Sequence, residues 1–236
     1  MARHDSPMSG AFPRTAAVDQ VSEFLRAVYG WMAAGLAITA ATAWIVAGSP
    51  ALVAAVFGNR LLFWALVIAQ LGIVFTLAAR VHRLAPGTAA LLFVAYSGLT
   101  GVTLSVILLA FTGESIATTF VVTAGTFGAL AVYGTLTRRS LEGFGQVLFM
   151  GLVGVVLASI VGIFWRNDAF QFVLSFIGVI VFAGLAAYDA QRLKAMAAAT
   201  PSGAVGSYAV VGALALYLDF VNLFLFLLRF TGNRRE

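Results

Sequence analysis

Ala215-Leu216-Tyr217-Leu218-Asp219-Phe220-Val221-Asn222-Leu223-Phe224-Leu225-Phe226-Leu227-Leu228-Arg229-Phe230 is an apolar run broken by one carboxylate and one amide. A second stretch, Gly184-Leu185-Ala186-Ala187-Tyr188-Asp189-Ala190-Gln191-Arg192, has the same character. A carboxylate inside a run long enough to cross a bilayer costs roughly 2.5 to 3.5 kcal/mol on insertion scales, so it faces protein or water and has a partner. Asp189 and Asp219 are therefore candidates for a functional site.

The surrounding chain has 236 residues, 61% of them hydrophobic and 10% charged, whereas a soluble domain carries roughly 25% charged residues. Apolar runs lie at roughly 25–47, 61–79, 86–112, 115–136, 144–165, 169–191 and 207–230, each near the ~20 residues that a helix needs to span a ~30 Å hydrocarbon core. Barrel strands would be about 10 residues long and would alternate polar with apolar positions. The expected fold is all-α: a polytopic membrane protein with seven spans over residues 23–230. A solvated N-terminal tail over 1–22 precedes it, lacking the pattern of a signal peptide, and a short basic tail over 231–236 follows.

The composition also removes several function classes. The absence of cysteine excludes disulfides and thiolate metal sites, and His4 and His82 stand apart, outside the apolar runs. The net charge of +5 comes from basic residues in short connections, which marks membrane orientation and gives no reason to expect nucleic acid. Ser140, Ser175 and Ser207 have no histidine in their spans to act as base, and no phosphate-binding glycine loop or HExxH motif occurs, so no enzyme is expected. An intramembrane aspartyl protease is the nearest rival, with Tyr188-Asp189 in its favour, but Leu216-Tyr217-Leu218-Asp219 lacks the glycines before the second aspartate.

Sidedness follows from the connections. The second carries Arg80, His82 and Arg83, the fourth Arg138 and Arg139, and the sixth Arg192 and Lys194; the first, third and fifth carry Arg60, Glu114, and Arg166 with Asp168. Positive-inside bias places the even connections and the N-terminus in the cytoplasm, and a fully crossing last span then puts the C-terminus outside. Arg229, Arg234 and Arg235 dissent, as they would if the last segment were re-entrant.

Helical spacing aligns Gly212, Ala215, Asp219 and Asn222 on one small, polar face of the last span, which should point into the bundle. In the sixth span it aligns Gly178, Phe182, Ala186 and Asp189, with Arg192 one turn on. Asp189 and Arg192 could form an ordinary interfacial ion pair, and Asp219 could be a purely structural hydrogen-bonding group beside Asn222. Should the two carboxylates meet, they would share a proton and titrate as a unit, and their oxygens would suit Ca²⁺. With Asp189 about five residues and Asp219 about eleven residues from the cytoplasmic ends of their spans, however, they differ in depth by about 9 Å. Arg80 could pair with either carboxylate, or could simply mark the membrane boundary.

The run from Leu216 to Leu225, followed by Leu227-Leu228-Arg229, resembles the last-helix signature of the bacterial branch of the Bax-inhibitor family. Tyr188-Asp189-Ala190-Gln191 is similar to the family's Tyr-Asp-X-Gln. Tyr96-Ser97-Gly98-Leu99-Thr100-Gly101-Val102-Thr103-Leu104-Ser105 and Thr137-Arg138-Arg139-Ser140-Leu141 match further segments, although Ser140 stands where an acidic or similar residue is usual. The resemblance covers about residues 20–230. It implies a seven-helix bundle with the last helix central, in the bacterial inner membrane. It also implies a pH-sensitive calcium leak in which Asp189 and Asp219 sense protons and meet calcium near the cytoplasmic side, Arg80 closes the pore, and Tyr188 and Asn222 support the pair. No tightly bound cofactor is implied; calcium is the permeant ion. The family's association with cytoprotection and with a membrane-bound AAA protease implies a second class, a regulator without channel activity.

Overall fold

Eight α-helices follow one another in the computed structural model, which describes residues 12–165, 167–199 and 205–235. They are α1 (Phe12–Ala47), α2 (Pro50–Phe57), α3 (Arg60–Arg80), α4 (Pro86–Ala110), α5 (Gly113–Leu136), α6 (Glu142–Phe164), α7 (Asp168–Ala199) and α8 (Val205–Thr231). All but α2 are long and apolar enough to cross a membrane. The helix starts are written locally. Asn59 Oδ1 accepts from the backbone N–H groups of Leu61 at 3.0 Å and Leu62 at 3.1 Å to open α3, and Thr112 Oγ1 accepts from Ser115 N at 3.3 Å to open α5. Pro50 and Pro86 sit in the first turns of α2 and α4, where a missing N–H costs nothing.

Two boundaries differ from expectation. Residues 12–22, read as tail, already belong to α1, because Val21 packs on the core one turn before the fully buried Phe24. Residues 1–11, including His4, and Arg166 lie outside the described residues. The other shift is in α7, which runs to Ala199 rather than ending near residue 191. Arg192-Leu193-Lys194-Ala195-Met196-Ala197-Ala198-Ala199 consists of strong helix formers, and it continues beyond the apolar run as an amphipathic segment that buries Leu193 and Ala197.

The last helix is central. It packs against α1, α3, α4, α5 and α7 and is the most buried of the long helices, while α3 and α6 are the least. Its start is tied to the α3–α4 connection, where Ser207 Oγ donates to the Leu84 carbonyl at 2.8 Å. Its far end is tied to the α4–α5 connection: Thr112 N donates to Asn233 O at 3.1 Å and Arg235 N to Ala110 O at 3.0 Å, with Phe111 and Arg234 paired as an antiparallel bridge. At 27 residues and about 1.5 Å per residue, α8 is about 40 Å long. The segment therefore crosses the bundle from end to end and does not turn back.

Small residues set the close approaches, as expected in a membrane bundle, though not every glycine of the spans takes part. A Cβ at Gly101 would stand 2.6 Å from the Thr39 carbonyl oxygen across the α1–α4 contact, and one at Gly178 would stand 2.6 Å from Phe226 across α7–α8. Gly151 and Gly184 are similarly crowded, whereas Gly98 and Gly154 have open space. Large apolar side chains on the outer faces, such as Phe75, Phe149 and Phe176, are exposed and suit a lipid surround.

Candidate functional site

The antiparallel packing of α7 on α8 decides where the two carboxylates fall. Phe182 of α7 stacks on Phe226 of α8 with ring centroids 5.8 Å apart, and the absence of a side chain at Gly178 admits the Phe226 ring. Asp189 lies seven residues after Phe182, and Asp219 lies seven before Phe226. In an antiparallel helix pair those two positions face one another two turns further along the same seam. The carboxyl groups do meet there, within hydrogen-bonding reach.

The expected depth mismatch is smaller than the spans suggested. Asp189 lies ten residues before Ala199 and Asp219 fourteen after Val205, an offset of about 6 Å. Asp219 is buried at 5% exposure, and its Oδ2 has no hydrogen-bond partner. Asp189 is half-buried and feels the charge of Arg192. An ionised carboxylate only accepts hydrogen bonds, so contact between two carboxyl groups requires a proton held between them.

The remaining candidates are placed differently. Arg80 is exposed at the last turn of α3 and makes no ion pair with Asp189 or Asp219, so the expected contact between Arg80 and the pair is not formed in this structure. Leu77, one turn earlier, is the part of that helix end that packs inward. Tyr188 packs its ring against Gly145 of α6, on another face of α7 from Asp189. Asn222 donates through Nδ2 to the Leu218 carbonyl of its own helix at 2.8 Å and makes no hydrogen bond to Asp219.

Two features were not anticipated. Gln191 Oε1 accepts from Leu141 N at 2.8 Å and its Nε2 donates to Arg139 O at 2.9 Å, while Lys194 Nζ donates to Thr135 O at 2.7 Å. These bonds clamp α7 to the α5–α6 connection just beyond Asp189, so the carboxylate pair lies near that end of the bundle. The signal was a glutamine two residues after the aspartate, whose reach to a neighbouring connection has no periodicity to reveal it. On the opposite side of α8, the hydroxyl of the fully buried Tyr217 meets Thr39 Oγ1 at 2.7 Å, and Thr39 also donates toward the Ser97 and Gly35 carbonyls, each at 2.9 Å. Thr100 Oγ1 lies beside Tyr96 and Tyr217 without completing a hydrogen bond.

Known proteins with similar sequences cover almost the whole chain. Inner membrane protein YbhL of Escherichia coli K12 is 48% identical over 231 residues, 95% of this chain and 99% of the relative. A chain from Borreliella burgdorferi is 42% identical over 217 residues, 91% of this chain and 94% of its own length, and one from Deinococcus radiodurans is 43% identical over 220 residues, 93% and 94%. The family described as inhibitor of apoptosis-promoting Bax1 matches residues 21–236, and this chain belongs to it.

Proposed function

We propose that the protein is a proton-modulated calcium leak of the bacterial inner membrane, with Asp189 and Asp219 as its sensing and gating pair. The observation that carries this reading is the meeting of two carboxyl groups in the bundle, one of them deeply buried with an oxygen left unpartnered. A proton and a hard cation compete for such a site, since Ca²⁺ favours carboxylate, carbonyl and water oxygens. Two carboxylates supply only part of the six to eight oxygens that Ca²⁺ takes, and no group of three or more His, Cys, Asp or Glu suited to a metal occurs among the described residues. In this reading calcium is cargo passing the pair. In this reading the protein has no catalytic role and no bound cofactor, and the N-terminus and the α3–α4 and α5–α6 connections face the cytoplasm.

The test is Ca²⁺ flux into liposomes across about pH 5 to 8 for wild type, Asp189→Asn, Asp219→Asn and the double variant. Coupled sites do not add, so each single variant flattens the pH dependence and the double adds little to the stronger single. Additive effects with an unaltered pH profile would sink the paired-sensor reading. Absence of flux in the wild type would leave the regulator class, including a partner of a membrane-bound AAA protease.

A further inference from the structure

The bridge that ties the C-terminal tail to the α4–α5 connection sends neighbouring arginines to different places. Successive side chains of an extended segment point to opposite faces. Accordingly, Arg234 lines a polar crevice with Ser159, Asn167 and Gln171, while Arg235 lines a groove between α1, α4, α5 and α8. That groove has a volume of about 740 Å³, and apart from Arg235 and Thr39 its lining is apolar or glycine. Leu36, Ala40 and Ala47 of α1, Ala117 and Phe120 of α5, and Phe224 of α8 form its walls. Phe120 makes edge-to-face contacts with Phe220 at 5.6 Å and Phe224 at 6.5 Å that floor it.

The groove's dimensions and polarity identify an occupant. Along α1 it extends from Gly48 to Leu36, which at about 1.5 Å per residue is about 18 Å, close to one leaflet of a hydrocarbon core about 30 Å thick. Its inner end reaches Phe220, the residue after Asp219, and its outer end opens at the α4–α5 connection. Trp44, 75% exposed, stands near that rim, as aromatic residues do at membrane interfaces. Arg235 makes no ion pair with an acidic side chain among the described residues, and Glu114 at the start of α5 does not line the groove. An apolar channel one leaflet deep, with one cation at its outer end, matches an acyl chain whose headgroup bears a phosphate.

We propose that this groove is a binding site for an anionic phospholipid, with an acyl chain between α1 and α5 and its phosphate on Arg235. Free phosphate would have no use for the apolar length, and a zwitterionic lipid would cancel part of the attraction at Arg235. The site also accounts for the basic tail at the end of the bundle where charge bias does not expect it, because bound anionic headgroups neutralise it.

The test is native mass spectrometry of the purified protein with added phosphatidylglycerol or phosphatidylcholine of identical chains. Wild type should retain phosphatidylglycerol preferentially. Arg235→Gln should lose roughly fivefold of that preference, the weight of one basic residue near a phosphate, while Arg234→Gln, whose side chain lines the other crevice, should keep it. Ala40→Phe with Ala117→Phe, both at exposed positions, should fill the groove and lower retention of both lipids. The proposal is overturned by no preference in the wild type, by equal losses in the two arginine variants, or by unchanged retention in a groove-filled variant whose melting temperature shows it folded.

Discussion

Gly178→Ala should weaken the bundle and disconnect the carboxylate pair together. The added Cβ would lie 2.6 Å from Phe226 Cγ and 2.7 Å from both Cδ atoms. These atoms are the base of a ring that stacks on Phe182 and lies under the Arg229 guanidinium at 5.9 Å, so they cannot swing aside as the tip of a flexible chain would. Reaching an ordinary carbon contact of about 3.5 Å requires α7 and α8 to part by about 1 Å. Overpacking of this kind costs about 1 to 3 kcal/mol. The same separation, carried two turns along the seam, exceeds what a carboxyl–carboxylate hydrogen bond of about 2.5 to 2.7 Å tolerates. Gly154→Ala is the control, since nothing lies within 4 Å of its Cβ. The assays are thermal unfolding in detergent and the pH profile of flux in liposomes. Gly178→Ala should lower both the midpoint and the pH response, and Gly154→Ala neither. A Gly178→Ala protein with wild-type stability and wild-type pH profile would refute the claim that this seam sets the register of the pair.

Three further outcomes follow from the geometry. Arg192→Ala removes the cation that acts on Asp189 and should move the pH profile of flux, since a nearby positive charge favours the ionised pair; Arg80→Ala, at an exposed position without an ion pair to either aspartate, should change stability by less than about 0.5 kcal/mol, and raised resting flux in that variant would instead reveal a second conformation in which Arg80 closes the mouth. Single cysteines can be read without background because the chain has none: Asn233→Cys and Glu114→Cys should react from one side of the membrane and Ser140→Cys from the other, and labelling of Asn233→Cys only from the side of Ser140→Cys would contradict the end-to-end course of α8.

The seven spans could be read from run length alone, because no soluble arrangement hides so much apolar surface. The meeting of Asp189 and Asp219 could not. The expected depth offset was larger than the observed one because α7 is continued past the apolar run by Leu193 and Ala197, which bury on the bundle. Hydropathy marks where a chain leaves lipid, and helix propensity together with packing decides where a helix ends. The register itself depended on Phe182 and Phe226, two of many aromatic residues in the sequence. Their stacking on one another, with Phe226 against Gly178, distinguishes them, and that contact is visible once the helices are side by side. The two readings of Arg80 stayed open for a related reason: its sequence position fixes the end of the bundle at which it lies, but not whether its side chain turns inward.

The central position of the last helix, by contrast, has a local cause in Tyr217-Leu218-Asp219. Residues two apart on an α-helix project about 200° from one another, so Tyr217 and Asp219 face opposite directions. A helix at the edge of a membrane bundle must turn one side to lipid, where an unsatisfied hydroxyl or carboxyl costs several kcal/mol. This helix has no side to spare, because Tyr217 bonds to Thr39 of α1 on one face while Asp219 meets Asp189 of α7 on the other. Both groups are buried only if the helix is surrounded. The same residues that make α8 the core of the fold thereby hold one carboxyl group deep in the bundle, and the buried bond to Thr39 fixes the rotation of α8 that aims Asp219 at its partner.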